Sequence, residues 1–178
     1  MRNTLVMLAA LAVVACADDT PTEVGGGGAG GIAPQLSAAS EAAPPTLFNT
    51  QLRSELEVPA CNSASKGHAH LKVLQDGTIE SMVKINNKGE EAVRFGHIHH
   101  LEPGQQIGPI IWWLSSPVGT NLNLTDRQLE FRQNAIFVSN PHFTTETAAL
   151  AELLEDPSTF YVNFHSDACL GGFARGFL

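Results

Sequence analysis

The chain has 178 residues, 16% of them charged, and a formal net charge of −8. Its ten Lys and Arg residues form no basic cluster, which excludes nucleic acid and anionic lipid headgroups as electrostatic partners. Beyond the first fifteen residues no hydrophobic run is long enough to cross a bilayer as a helix.

The opening segment, MRNTLVMLAALAVVAC, carries one positive charge at Arg2 and an apolar run from Leu5 to Ala15. About eleven apolar residues suit a signal-peptide core and fall short of the roughly 20 needed by a membrane-spanning helix. Val13, Val14 and Ala15 followed by Cys16 resemble the lipobox of bacterial lipoproteins. That resemblance implies cleavage after residue 15, with acylation of the Cys16 thiol and of the new amino terminus. Several acyl chains on one residue make a stable anchor, which a single chain does not. The alternative is an ordinary secretory signal cut nearby, with Cys16 incidental. Ala17, not Asp, follows the anchor cysteine, which by the rule known for enterobacteria favours the outer membrane or cell surface over the inner membrane. Loss of Arg2 takes the net charge from −8 to −9. Residues 16–46 are rich in Gly, Ala, Pro, Ser and Thr and have no hydrophobic period, so they are expected to form a flexible tether.

The remaining residues, 47–178, are enough for one domain with a real core. LFNTQLRSELEV alternates and ends at Pro59, and HAHLKVL is followed by the turn QDGT. TIESMVKI alternates again before NNKGEE, and both turns carry hairpin chemistry. AVRFGHIHH is the next predicted strand, and PGQQIGP a loop. IIWWL has no polar face, which predicts a strand covered on both sides. TTETAALAELLED alone reads as a helix, capped by Thr144 or Thr145 and ended by Pro157. FYVNFHS and GGFARGFL complete the strands. Many short strands with turn punctuation predict an all-β antiparallel β-sandwich, with the one short helix in a crossover.

Three segments together resemble the CHRD domain, named for chordin. GHIHHLEPGQQIGPIIWWL is similar to its His-Ile-His, Gly-rich loop and apolar strand. FYVNFHSDACLGGFARGFL is similar to its Tyr-Val-Asn-x-His block with Gly-Gly-x-x-Arg-Gly, and FNTQLRSELEVP leading to SKGHAHLKV to its opening. The resemblance implies an immunoglobulin-like β-sandwich and no particular reaction. Three positions depart from the family pattern: Leu170 stands for Pro, Phe173 for Glu and Phe177 for a polar residue.

Seven histidines stand out. Residues two apart on a strand share a face, so His97 and His99 point together and His100 points away. His165 shares its face with Tyr161 and Asn163. Three imidazoles from two strands suit zinc or copper, and copper–zinc superoxide dismutase assembles a site from such a pattern. The alternative for His97, His99 and His165 is a structural hydrogen-bond network. His68 and His70 form a second, weaker pair, and His142 reads as a simple surface residue.

Cys61 and Cys169 in an exported domain invite a disulfide, with two separate thiols as the alternative. The bridge would close a loop of about 109 residues, worth on the order of 4 kcal/mol in the chain-entropy model. Other chemistries find no support. Ser115 and Ser116 lack nucleophile-elbow glycines, and GGGGAGG lacks the strand and Lys of a phosphate loop. Glu90 with Glu91 and Glu152 with Glu155 read as solvated faces. Trp112 and Trp113 point to opposite faces and both fit packing roles, while Arg175 suits a buried carboxylate or peptide carbonyl. The expected function is thus a membrane-tethered extracytoplasmic binding or scaffold module rather than an enzyme. Beyond the lipid anchor its partner would be a protein or a cell-envelope component. The rival is a His-coordinated metal-binding or redox protein using copper or zinc.

Overall fold

The computed structural model describes residues 44–115 and 118–178. The signal peptide, Cys16, nearly all of the tether, and Ser116 lie outside the described residues.

Alternation of apolar and polar residues builds the first three strands, β1 (Thr46–Arg53), β2 (Lys66–Val73) and β3 (Ile79–Asn86). In β3 the residues Ile79, Ser81, Val83 and Ile85 are buried, while Glu80 and Lys84 are exposed. A short 3-10 turn, Ser54–Leu56, ends β1 before the proline. The next strands are β4 (Val93–His100), β5 (Ile110–Trp113), β6 (Gln128–Asn134) and β7 (Ile136–Phe137). Helix α1 (Glu146–Glu155) follows, with the Thr145 hydroxyl accepting from the Ala148 amide at 3.3 Å. The chain closes with β8 (Phe160–Ser166) and β9 (Ala174–Phe177). Strands β6 and β7 add two elements to those the sequence pattern predicts.

The fold is all-β, with every strand pair antiparallel. The strands join in the order β6-β3-β2-β1-β9-β8-β4-β5-β7. Continuity runs through one register pair, Arg53 with Arg175, that links β1 to β9. In place of the two separate sheets of the expected sandwich, the strands form one continuous sheet that folds over into a nearly closed barrel, and α1 lies in the connection from β7 to β8. Phe131 of β6 and Phe164 of β8, from the two halves, pack with ring centroids 5.0 Å apart. Leu52, Ala69, Val83, Ile98, Trp112 and Val162 fill the same core.

The two tryptophans divide as alternation requires. Trp112 is fully buried, and its indole N–H donates to Glu146 at 3.1 Å. Trp113 is buried on the other face of β5, so this strand is covered on both sides. Of the departures from the family pattern, Phe173 is buried, whereas Leu170 and Phe177 remain exposed.

Candidate functional site

Strand register brings the chemistry together on the outer face of the β4–β8 half. His97 stands opposite Asn163 and Trp113, and His99 opposite Tyr161. Phe95 faces His165, and Asn163 faces Arg175 across β9. All of these except Phe95 are buried, although they lie on the side away from the main core.

Two loops seal that face. The 101–109 loop approaches β4 so closely that a side chain on Gly108 would collide with the His100 carbonyl. Its Gly108 amide donates to the Tyr161 hydroxyl at 3.2 Å, and the Gln106 carbonyl accepts from Arg175 Nη2 at 2.9 Å. The 167–173 turn is the second cover. Gly172 has φ +127°, and a Cβ there would strike both the Glu57 carboxylate and the Asn163 amide. A disulfide joins Cys169 in this turn to Cys61, with Cα atoms 6.1 Å apart.

Under these covers three imidazoles converge. His99 Nδ1 lies 2.9 Å from the Gly108 carbonyl, and His165 Nδ1 lies 2.8 Å from the Leu170 carbonyl. A carbonyl only accepts, so each Nδ1 carries the proton and each Nε2 presents its lone pair. Those two Nε2 atoms, and both ring nitrogens of His97, are buried with no hydrogen-bond partner. One ligand nitrogen from each ring lies within 4.8 Å of the others. An ion centred in such a triangle is at most about 2.8 Å from each nitrogen. Inward ring movements of under about 1 Å would reach the ~2.0–2.1 Å of a metal–imidazole bond.

Burial shapes the protonation of this face. It pushes His97 down to about 2, aided by the neighbouring His99 and His165. His99 falls to about 4, mainly through burial, against the Gly108 hydrogen bond and with help from His165 and Arg175. His165 is lowered for the same first reason. All three are thus held neutral, the ligating form. Around them His99 stacks on Tyr161 at 4.8 Å, and the Arg175 guanidinium sits 3.6 Å over the Tyr161 ring.

Glu57 is the residue on this face that sequence reasoning missed. Its Oε2 accepts from Asn163 Nδ2 at 2.8 Å, across 106 residues of sequence. Burial raises it to about 8, outweighing Arg175, the Ala174 amide and Asn163, which all lower it. No local signal distinguishes it from its exposed neighbour Glu55. Glu91 needs correction too: it is buried, not solvated, because Asn87 bonds its backbone on both sides and turns it inward. Its Oε2 then accepts from Ser166 Oγ at 2.8 Å.

The other histidines lie elsewhere. His68 and His70 stand on the solvent face of β2, their rings 5.1 Å apart. His100 faces the opposite side of β4, against Phe160 and Phe143. Glu152 is not simply solvated, since its Oε1 lies 2.7 Å from His100 Nε2.

Fold and site define an all-β module whose outer face carries a sealed cluster of neutral imidazoles. The CHRD domain model matches residues 48–178, well over half of the chain. The chain belongs to the CHRD-domain family. Membership supports an extracytoplasmic binding or scaffold module. Neither a curated protein nor a solved structure matches the chain.

Proposed function

We propose that the protein is a membrane-tethered extracytoplasmic binding module, and that a zinc or copper ion held by His97, His99 and His165 is its ligand. The tether reading rests on the sequence, through the signal-like segment 1–15, Cys16 and the linker to residue 46. In it the lipid anchor supplies the membrane attachment, at an outer membrane or cell surface, and the domain remains free to meet a protein or cell-envelope partner. Cys16→Ser should leave the precursor uncleaved or release a soluble form. An unchanged membrane fraction and detergent partitioning after processing would refute the anchor.

One observation carries the metal reading. Three buried imidazole nitrogens face one another without partners, while the Nδ1 atoms of two of those rings are tied to carbonyls. A structural network would satisfy the inner nitrogens, because each buried orphan costs about 1–3 kcal/mol. A bound cation removes that cost and uses the tautomers already set. The set holds no carboxylate or thiolate, and imidazole ligands suit zinc and copper.

Elemental analysis of protein purified without chelator or an affinity histidine tag should find zinc or copper. Calorimetric titration should then show His99→Ala removing one equivalent, because two ligands make a weak site. If the wild type gives no metal heat while His99→Ala merely lowers the melting temperature, the histidines are structural and only the binding-module reading survives.

A further inference from the structure

A second group of ligating side chains lies on the other side of β4, where it meets α1. His100 ends β4 with its side chain 2% exposed. His142 comes from the segment before the helix, and its ring stacks on His100 with centroids 4.6 Å apart at 25°. Glu102 pairs with His142 Nδ1. Glu152 of α1 lies 2.7 Å from His100 Nε2 through Oε1, and 3.7 Å from His142 Nε2 through Oε2. One ligand atom each from His100, Glu102 and His142 falls within 4.8 Å of the others.

Charge and cover both favour a cation here. With the imidazoles neutral and the carboxylates ionised, the four side chains sum to −2. Among the described residues no Lys or Arg pairs with Glu102 or Glu152. One side of the cluster is apolar: Phe160 lies 4.8 Å from the His100 ring, and Phe143 lies 5.1 Å from His100 and 4.3 Å from His142. Such a wall strengthens any charge interaction beside it. Glu102, Glu152 and His142 are each roughly a third or more exposed, so an ion can enter and leave without opening the fold. Two imidazoles and carboxylate oxygens are a zinc donor set.

We propose that His100, Glu102 and His142 form a second, solvent-accessible site for a divalent transition-metal ion of the zinc class, supported from the helix by Glu152 and separate from the sealed three-histidine cluster. Its placement ties the end of β4 to the helix and to the segment before it. Metal occupancy would therefore fasten the β7–β8 crossover, and the site exchanges ions that the buried cluster would hold slowly. It does not depend on the three-histidine reading, since the two clusters share no ligand.

Zinc titration of the full chain, followed by calorimetry and by equilibrium competition with a chromogenic chelator, tests this. The variants are His142→Ala, Glu152→Gln, His99→Ala and His70→Ala. His142 lies at an exposed position, and its removal leaves the core and the capping Thr145 intact, so folding is expected to persist. His142→Ala should abolish one equivalent, and Glu152→Gln should weaken the same equivalent at least tenfold. His99→Ala should leave that equivalent in place, whether or not it removes another. Unchanged stoichiometry and affinity in His142→Ala would overturn the proposal. So would loss of this equivalent in His70→Ala, which would assign the ion to the exposed His68–His70 pair. If only the second-site equivalent is present in the wild type, the three-histidine reading fails while this one stands.

Discussion

The two halves of the folded sheet face water differently. In the β6-β3-β2-β1 half the inner side is apolar and the outer side is solvated, as in β3, where exposed Lys84 and Glu130 pair at 3.3 Å. In the β9-β8-β4-β5-β7 half both sides of the central strand β8 are buried, every residue from Phe160 to Ser166 included, and only rim positions such as Ile136 and Phe177 are exposed. One side of β8 carries Phe160, Val162 and Phe164, and the other carries Tyr161, Asn163 and His165. Loops, not a second sheet, bury that second side. A sheet face that is both polar and dry must have its side chains satisfied by specific partners. It is there, and not on the wet face of the first half, that unpartnered imidazoles accumulate.

Cutting into the inner side of the second half should break the contrast most severely. Phe164→Ala removes the ring that spans the two halves and should cost about 3–5 kcal/mol in denaturant unfolding. A loss below about 1 kcal/mol would mean that the halves are not packed as described.

Opening the loop cover is the next largest change. Gly172→Ala places a Cβ against Glu57 and Asn163 at a backbone angle that L side chains avoid, and should cost about 1–3 kcal/mol. It should also weaken metal binding, because the Leu170 carbonyl that holds His165 belongs to the same turn. Undiminished stability would show that the cover is loose.

The dry polar face should also give the metal-free protein an unusual pH profile. Unfolded histidines protonate near 6.5, whereas His97 and His99 resist protonation down to about 2 and about 4. The unfolded chain therefore binds more protons below 6.5, and stability falls as pH drops from 6.5 toward 4. Glu57 acts in the opposite sense. Raised to about 8 from 4.5, it contributes stability at low pH that is lost as pH rises from 4.5 to 8. Two histidines against one glutamate leave a net loss of at least about 1 kcal/mol per unit on acidification below 6. Urea midpoints across pH 4.5–8.5 should peak near 6.5–7. Glu57→Gln should flatten the alkaline limb, and a limb that stays steep in this variant would remove Glu57 from the account.

The wet face of the first half supplies the smallest effect. Lys84→Ala breaks only an exposed pair and should change stability by less than about 0.5 kcal/mol. A larger loss would mean that the outer face of β3 is covered after all.

Most strands of the first half and the helix were legible because each carries its own period and its own punctuation. Lys66–Val73 and Ile79–Asn86 alternate around an Asp-Gly turn, and Thr145 caps the helix. Strand β6 is hard to read from the sequence even though Leu129 and Phe131 alternate with Glu130 and Arg132, because the pattern is short and polar residues surround it. Strand β7, two residues long, has no period to read.

By itself the sequence determined the all-β class, the pairing of His97 with His99 on one face, and the opposite sense of His100. Those follow from a side-chain repeat of two, which every strand obeys whatever its neighbours. It also carried the family pattern that residues 48–178 share. Only the tertiary structure decided that Glu57 meets Asn163, that Gly108 and Leu170 supply the carbonyls for His99 and His165, and that His142 reaches Glu102 and Glu152. Each of these contacts is made by a loop, or by side chains distant in sequence. Loops have no period, and whether a polar side chain ends in water or beneath a loop depends on where the chain returns.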